Sequence, residues 1–296
     1  MDNPYYDWSP LPKRAALRWP GGARVAVCVI VSLEQIEWLP GPETAIPPSV
    51  VRFGPYPRVL DVHDLSVHEY GNRVGVFRVL DVLDRNGVRA TAAVDAALAR
   101  DNPYVVERCR ERGYEFIAHG LSASRAITEA MGEDAERAYI AETLEAVAAA
   151  TGEQPRGWLS PDYMESTRTV RLLAEAGLRY VCDWPNDEQP YRIKVPEGEM
   201  LSLPVTHDAD DVVSIRSRGL PASAWRRIVT ESFDRLHEDG AEAGRLLVFN
   251  VHPYVMGQPF RIRYLDRALR HILDRDGVWT ATAGEIVDWY AEHGAE

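Results

Sequence analysis

An almost unbroken run of apolar residues extends from Val25 to Leu33. Such a run, rich in β-branched side chains, is typical of a parallel strand buried on both faces, because a strand with one exposed face alternates apolar and polar residues. The run ends where Glu34 and Gln35 follow it. Since successive side chains on a strand point to opposite faces, Glu34 continues the face of Ser32 and Gln35 continues that of Leu33.

Strand-like and helical patterns alternate along the rest of the chain. The predicted helices cover residues 72–86, 102–113, 132–150, 167–176, 222–238, 261–273 and 284–290. The predicted strands after the first cover residues 88–94, 114–118, 157–159, 179–182, 201–205, 246–251 and 278–281. This alternation predicts an α/β fold with a parallel sheet. Because no glycine fingerprint of a dinucleotide-binding open sheet is present, we predict a (β/α) barrel of seven or eight parallel strands rather than an open sheet.

Two proline-rich stretches lie outside this alternation. Residues 1–23 predict an irregular N-terminal arm, and we expect residues 1–296 to form a single barrel domain, since barrels reach this length as one unit. Residues 40–58 form the second stretch. A long irregular loop inside a compact domain is often functional. Because this loop follows Glu34, we expect it to form a wall or lid of a site.

The composition narrows the classes of partner and the types of site that the sequence could have. The chain has 296 residues, of which 46% are hydrophobic and 26% charged, as in an ordinary globular protein. Its formal charge of −12 argues against nucleic acid or an anionic membrane as a partner. Cys28, Cys109 and Cys182 have no short spacing, so neither a disulfide framework nor a zinc cluster is predicted. Without an apolar signal segment or a membrane-spanning run, we predict a cytoplasmic protein.

Polar residues lie at the ends of five of the predicted strands, and they are Glu34, His119, Ser160, Asp183, and Asn250 with His252. The carboxyl ends of parallel strands meet at one edge of a barrel, so these residues are candidates for an active site. Each has an ordinary alternative. Glu34 alone could be a solvated loop residue, a single histidine is often a structural hydrogen-bonding group, and Asp183 could cap the next helix.

Several aromatic residues lie beside the same strand ends, and they are Trp38, Trp158, Trp184, Tyr191 and Tyr254. We expect most of them to pack in the protein interior and one or two to form walls for a flat ligand. In the segment GQPFR, Gln258 and Arg261 are candidate ligand contacts. A position on a helix surface is the favoured alternative for Arg261.

Ordered segments of this sequence resemble a known family. The segments SLEQ, AHGLSAS, PRGWLSP, VCDW and VHP resemble the polysaccharide deacetylases (carbohydrate esterase family 4). The longer segments GNRVGVFRVLDVLDRNGVRAT, WPNDEQPYR, HPYVMGQPFR and GVWTATAGEIVDWY are similar to the metal-independent allantoinase and cyclic imide hydrolase branch. The resemblance covers roughly residues 20–290. It implies a distorted (β/α) barrel and, by analogy with the branch, a homo-oligomer.

The resemblance also implies where a metal would bind. Metal-dependent members carry a base Asp and a ligand Asp on the first strand, and two ligand His residues four positions apart. Here Glu34 takes the base position and Gln35 the ligand position, while His119 takes the first His position and Ala123 the second. Gln and Ala do not replace strong zinc ligands. We therefore predict no metal and no other cofactor.

Two further clusters of potential ligands were considered. One contains His63, Asp64 and His68, and the other contains His207, Asp208, Asp210 and Asp211. We interpret both as loop-like charge clusters whose members are solvated or form turns.

Without a metal, a side chain must activate water and hydrogen-bond donors must meet the charge on the carbonyl oxygen. We predict that Glu34 is the base, that His252 is the acid for the leaving nitrogen, and that Asp183 orients a partner. The predicted substrate-binding residues are Gln35, His119, Trp158, Ser160, Trp184, Asn250 and Tyr254.

The predicted activity is hydrolysis of a carbon–nitrogen bond other than a peptide bond. The predicted partner is a small cyclic amide, either a ureide such as allantoin or a cyclic imide, because its carbonyl is already activated. Two alternatives remain open at this point. One is a metal-dependent deacetylase of N-acetylated sugars, and the other is an inactive barrel retained for binding.

Overall fold

The computed structural model describes residues 3–38, 45–47 and 62–294. The loop expected to form a wall or lid, residues 40–58, lies outside the described residues except for 45–47. No helix in the described part of the chain is long and apolar enough to cross a membrane.

The strands are β1 (Val25–Leu33), β2 (Thr91–Val94), β3 (Glu115–Ala118), β4 (Gly157–Trp158), β5 (Tyr180–Val181), β6 (Tyr191–Ile193), β7 (Met200–Ser202), β8 (Arg245–Val251) and β9 (Val278–Thr280). The α-helices are α1 (Val62–Tyr70), α2 (Val76–Arg85), α3 (Ala96–Asp101), α4 (Pro103–Arg110), α5 (Glu133–Thr151), α6 (Thr169–Glu175), α7 (Ala222–Asp239), α8 (Pro253–Met256), α9 (Ile262–Leu273) and α10 (Ala283–His293). Two π-helical segments, Gly71–Gly75 and Val212–Ser217, and several short 3-10 turns complete the described chain.

One curled sheet contains all these strands, in the order β6-β7-β5-β4-β3-β2-β1-β8, with β9 also paired to β1. All described pairings are parallel except β6 with β7. Single hydrogen bonds join β8 to the far end of the sheet, from Thr206 N to Val248 O (2.8 Å) and from Leu246 N to Glu188 O (2.9 Å). The predicted distorted α/β barrel with seven or eight parallel strands is therefore confirmed.

Strand β1 is buried along its full length, as its apolar run predicts. Its odd-numbered residues, from Val25 to Leu33, belong to the apolar layer that includes residues of α2, α7 and α9. Its even-numbered residues Ala26, Cys28 and Ile30 pack in the second apolar cluster, with residues of β5, β7 and β8. The even-numbered face then continues to the mouth of the barrel, where Glu34 leaves the strand.

Three local features differ from the sequence-based predictions. Helix α3 was not predicted, because residues 96–99 are all buried and their apolar run looks like a continuation of β2. Strand β6 was not predicted, because it has three residues and exposes Arg192 in its middle. The predicted helix 72–86 is the second part of a longer helical segment, 62–85, which a π turn interrupts.

The π segment Gly71–Gly75 lies directly against α8. A Cβ atom at Gly71 would lie 2.7 Å from Tyr254 N, and one at Gly75 would lie 2.2 Å from Pro253 O. Both neighbours are backbone atoms, which cannot swing aside as a side chain can. These glycines therefore permit the close approach that positions α8, and with it Tyr254, beside the end of β8.

We predict that Gly75→Ala destabilises the protein, although alanine is the better helix former. Overpacking against backbone costs about 1–3 kcal/mol in the free energy of unfolding. The control is Gly132→Ala, whose Cβ meets no atom within 4 Å; because Gly132 is the N-cap of α5, where glycine is preferred to alanine, the control should still lose about 1 kcal/mol or less. Denaturant unfolding measures both variants, and equal stability changes would contradict the close-approach argument.

Candidate active site

An open cleft of about 360 Å³ lies at the carboxyl ends of the parallel strands. Its lining residues are Glu34, His119, Leu159, Ser160, Asp162, Tyr163, Asp210, Val212, Val213, Asn250, His252 and Tyr254. In the described part of the chain, polar groups from several different strand ends therefore converge on one open cleft.

The backbone around Glu34 is held from two sides. Asn72 donates a side-chain hydrogen bond to the Glu34 carbonyl oxygen (2.7 Å), and Asp95 Oδ2 accepts one from the Gln35 amide (2.7 Å). Asp95 Oδ1 also accepts from the amide of Leu98 (2.6 Å) as the N-cap of α3. The helix start after β2 thus fixes the direction in which Glu34 leaves β1.

His252 follows β8 and forms a buried pair with Asp211. The Nδ1–H of His252 donates to Asp211 Oδ1 (2.7 Å), and its backbone N–H donates to Oδ2 (3.0 Å). Because Nδ1 is occupied in this way, Nε2 is the ring nitrogen that faces the cleft. Nε2 lies 3.9 Å from Glu34 Oε1, close enough for one reacting group to contact both atoms.

A second histidine contacts the same carboxylate. His119 Nε2 lies 3.0 Å from Glu34 Oε1, and Nδ1 lies 2.5 Å from the Leu159 carbonyl oxygen. A carbonyl oxygen and a carboxylate oxygen both only accept hydrogen bonds, so each of these two contacts requires an N–H group of His119. No described residue forms a hydrogen bond with Oε2 of Glu34.

The pKa values of Glu34 and His252 are shifted in opposite directions. Burial raises the pKa of Glu34, but the charge of His252 and the hydrogen bond from His119 lower it to about 2. Burial lowers the pKa of His252, but the charges of Asp210 and Glu34 and the hydrogen bond to Asp211 raise it to about 10. At neutral pH the cleft therefore holds a carboxylate beside an imidazolium, the protonation states required of a base and an acid.

Asp210 holds a separate set of donors. Its Oδ1 accepts the backbone N–H groups of Val212 (2.7 Å) and Val213 (2.9 Å). Its Oδ2 accepts the Tyr163 hydroxyl (2.6 Å) and the Asn250 side-chain amide (3.2 Å). Asp210 thereby joins three walls of the cleft, and its charge helps to keep His252 protonated.

Backbone strain is concentrated in one wall. Asp162 and Tyr163 have φ values of 54° and 59°, so two consecutive non-glycine residues adopt the left-handed region. This conformation costs about 1–3 kcal/mol per residue and persists only where the surroundings hold it. The Tyr163 hydroxyl bond to Asp210 and the bond from the Ser160 amide to Asp183 Oδ1 (2.7 Å) hold it here.

The residues at the family's metal-ligand positions do not form a zinc site. Gln35 Oε1 accepts hydrogen bonds from Asn72 (3.2 Å) and Asn102 (3.2 Å), and Ala123 has no donor side chain. Both ring nitrogens of His119 are engaged, as described above. Zinc sites in proteins use three or four N, O or S ligands of the Cys, His, Asp and Glu type, and this set does not supply them.

One other group of side chains offers potential ligands for a cation. Asp210, Asp211 and His252 have potential ligand atoms within 4.8 Å of one another. Each Asp210 oxygen already accepts two hydrogen bonds, and Nδ1 of His252 donates to Asp211. A cation would have to displace these bonds, so the three residues fit a hydrogen-bonded network and not a metal centre.

The structure separates the predicted site residues into two sets. Those lining the cleft are Glu34, His119, Ser160, Asn250, His252 and Tyr254. Those outside its lining are Gln35, Trp158, Trp184 and Asp183.

Each residue of the second set has a physical reason for its position. Gln35 lies on the opposite face of the chain from Glu34. The indole of Trp158 is buried, with its N–H on Ser160 Oγ (2.8 Å), and Trp184 packs edge-on against Tyr5 of the N-terminal arm. Asp183 lies behind Ser160 and caps no helix, because irregular chain follows it.

Four residues that we interpreted as solvated or turn residues are buried instead, and they are Asp64, His68, Asp210 and Asp211. Asp210 and Asp211 follow the predicted strand 201–205, so the strand-end rule that identified the other candidates also applies to them. His68 is buried too, and its ring stacks on Tyr254 with centroids 3.7 Å apart. Helix α1 has no clear apolar periodicity, so no sequence pattern indicated this contact.

Other members of the two clusters behave differently. His63 and Asp208 are exposed, and Asp208 pairs with Arg218 (2.7 Å).

Several known proteins are similar to this chain along nearly its whole length. Residues 68–181 match the sequence profile of the polysaccharide deacetylase family. A Schizosaccharomyces pombe protein named "Putative polysaccharide deacetylase" is 26% identical over 300 residues, which cover 93% of each chain. The solved structure of a "probable Polysaccharide deacetylase" from Pseudomonas aeruginosa PAO1 is 27% identical, with a TM-score of 0.82 and coverage of 94% of this chain and 95% of that chain. The solved structure of "Puue Allantoinase" is also 27% identical, with a TM-score of 0.83 and coverage of 94% of each chain.

The pair of His252 and Asp211 generates a prediction about pH. Asp211→Asn removes a negative charge that stabilises the imidazolium, so the pKa of His252 should fall by at least about one unit. If protonated His252 is required, the high-pH limb of kcat/KM should move to lower pH by the same amount. The control Asp208→Asn changes an exposed neighbour and should leave the limb unchanged. A limb in Asp211→Asn that coincides with wild type would contradict the role of Asp211.

Proposed function

We propose that this chain, a hydrolase with a polysaccharide deacetylase domain, opens a cyclic amide without a metal ion. The substrate class is a cyclic ureide or imide. The observation that carries the proposal is the separation of 3.9 Å between Glu34 Oε1 and His252 Nε2 across the cleft. The similarity to a structure named an allantoinase supports the same substrate class.

In the proposed reaction, Glu34 takes a proton from water as the water oxygen bonds to the ring carbonyl carbon. His252 gives its Nε2 proton to the leaving ring nitrogen as the carbon–nitrogen bond breaks. The products are a carboxylic acid and a free N–H group, and one water molecule is consumed. Proton transfer from Glu34 back to His252, directly or through solvent, restores the starting protonation states.

The low pKa of Glu34 would make it a weak base in the resting site. Much of that lowering comes from the positive charge of His252. As His252 transfers its proton to the leaving nitrogen, this charge disappears and the basicity of Glu34 rises. The acid and the base are therefore coupled, and Asp211 remains hydrogen-bonded to His252 throughout.

The proposed substrate class follows from the groups that would accelerate hydrolysis. A Lewis acid contributes several kcal/mol of charge stabilisation to hydrolysis, and each 1.4 kcal/mol corresponds to about a tenfold change in rate. The carbonyl of a ring imide or ureide is already activated, which offsets part of the missing charge stabilisation. A sugar acetamide has no such activation. The cytoplasmic location and the homo-oligomeric state remain predictions from the sequence.

A substrate panel tests the proposal. Wild type should open at least one five- or six-membered cyclic ureide or imide and release no acetate from N-acetylglucosamine oligomers. Glu34→Gln keeps the side-chain shape without basicity, and it should lower kcat at least about 100-fold. The same change at Glu37, which pairs with Arg125 at the surface, should have little effect. A higher kcat/KM for an N-acetyl oligosaccharide would overturn the proposal, and no turnover of any ring would favour an inactive barrel.

A second prediction concerns metal dependence. Because Gln35 and Ala123 occupy ligand positions of the metal-dependent members, purified protein should contain no stoichiometric zinc. Treatment with a chelator should leave ring-opening activity unchanged. Elemental analysis near one zinc per chain, with activity lost on stripping and restored by zinc, would contradict the prediction and favour the deacetylase alternative.

A further inference from the structure

Two arginines lie beside Tyr254, just outside the residues that line the cleft. The guanidinium carbon of Arg216 lies 5.6 Å from the centroid of the Tyr254 ring. Arg216 belongs to the π segment Val212–Ser217, whose first two residues line the cleft. Arg261 Nη1 donates to the carbonyl oxygen of Val255 (3.3 Å), the next residue after Tyr254. Both cations therefore lie next to one wall of the cleft, with one aromatic ring between Arg216 and His252.

Neither arginine has a carboxylate partner within ion-pair distance among the described residues. Other arginines of the chain do pair in this way, for example Arg168, Arg171 and Arg235. The absence is notable because the sequence has 45 acidic residues against 33 Lys and Arg. A half-buried arginine without a carboxylate partner among the described residues is a candidate for binding an anion from solution.

The surroundings of Arg261 indicate that its charge is only partly compensated. Half-burial lowers the pKa of Arg261, the charge of Asp211 raises it, and the like charge of Arg216 lowers it again. Two guanidinium groups close enough to repel each other are stabilised when an anion binds between them.

We propose that Arg216 and Arg261 bind a carboxylate carried outside the ring by the cyclic amide substrate. This inference rests on the proposed function, and it adds the charge of the substrate. A guanidinium fork matches a planar carboxylate. Glu34 and the neighbouring Asp210 and Asp211 are negative, so a group with a single charge fits better than a doubly charged phosphate.

The test compares two substrates that differ only in charge. Hydantoin-5-acetate carries the carboxylate, and hydantoin-5-acetamide replaces it with a neutral amide of the same shape. In both, the water oxygen bonds to C4, the C4–N3 bond breaks and N3 takes the proton, which gives an N-carbamoyl amino acid. Wild type should have a kcat/KM for the acetate at least about tenfold higher than for the acetamide, as expected for one charged hydrogen-bonded contact.

Variants of the two arginines test whether these residues cause the preference for hydantoin-5-acetate. Arg216→Gln and Arg261→Gln should each lower kcat/KM for the acetate about tenfold, mainly through KM, and should leave the acetamide within about twofold of wild type. The matched control is Arg267→Gln, an exposed arginine on α9 whose described contact is with the Tyr264 ring, and it should change neither substrate. Equal losses on both substrates, or no preference in wild type, would overturn the assignment.

A binding measurement separates this inference from the proposed function. If wild type opens neither ring, calorimetry of hydantoin-5-acetate with wild type and the two variants decides the matter. Binding that weakens in Arg216→Gln and Arg261→Gln but not in Arg267→Gln would support the anion site while the hydrolysis proposal fails. Equal binding by all four proteins, or no binding by wild type, would overturn the anion site.

Discussion

The site depends on keeping the carboxylate of Glu34 charged in a nearly buried position. Burial alone would favour its neutral form. The imidazolium of His252 and the hydrogen bond from His119 reverse that preference. His252 in turn stays protonated because Asp211 and Asp210 are negative and are themselves buried and hydrogen-bonded. Asp211 thus helps to keep His252 protonated, and protonated His252 helps to keep Glu34 ionised. A change at Asp211 should therefore shift the pKa of Glu34 without any direct contact between the two side chains.

The barrel supplies the positions that this arrangement of charges requires. Alternation along β1 buries Ala26, Cys28 and Ile30 inside the barrel and directs the same face to the mouth. A shift of one residue in that strand would replace Glu34 with Gln35 in the cleft. The close contacts at Gly71 and Gly75 position the wall that contains Tyr254, because they allow α8 to approach the end of β8. Precise placement therefore comes from close packing of backbone, while reactivity comes from the charges.

Local pattern predicted the parts of this protein that depend on local sequence. The buried strand β1, most of the helices and the convergence of Glu34, His119 and His252 follow from apolar periodicity and from the geometry of parallel strands. The partners depend on tertiary contacts that no pattern encodes. Asp211 looks like a loop carboxylate until the fold brings it to His252, and Trp158 looks like a cleft wall until its ring is seen in the core. Helix α3 was missed because all-round burial removes the polar face that identifies a helix.

The most direct measurement is the protonation state of His252, read from the ¹⁵N resonances of its imidazole in labelled protein. Loss of the signal in a His252→Gln variant assigns the resonances. An ordinary histidine, with a pKa near 6.5, is neutral at about pH 8. Our account predicts that both ring nitrogens of His252 carry protons there, because the pKa is raised to about 10. An unprotonated Nε2 at this pH would contradict the account, since the cleft would then lack its acid.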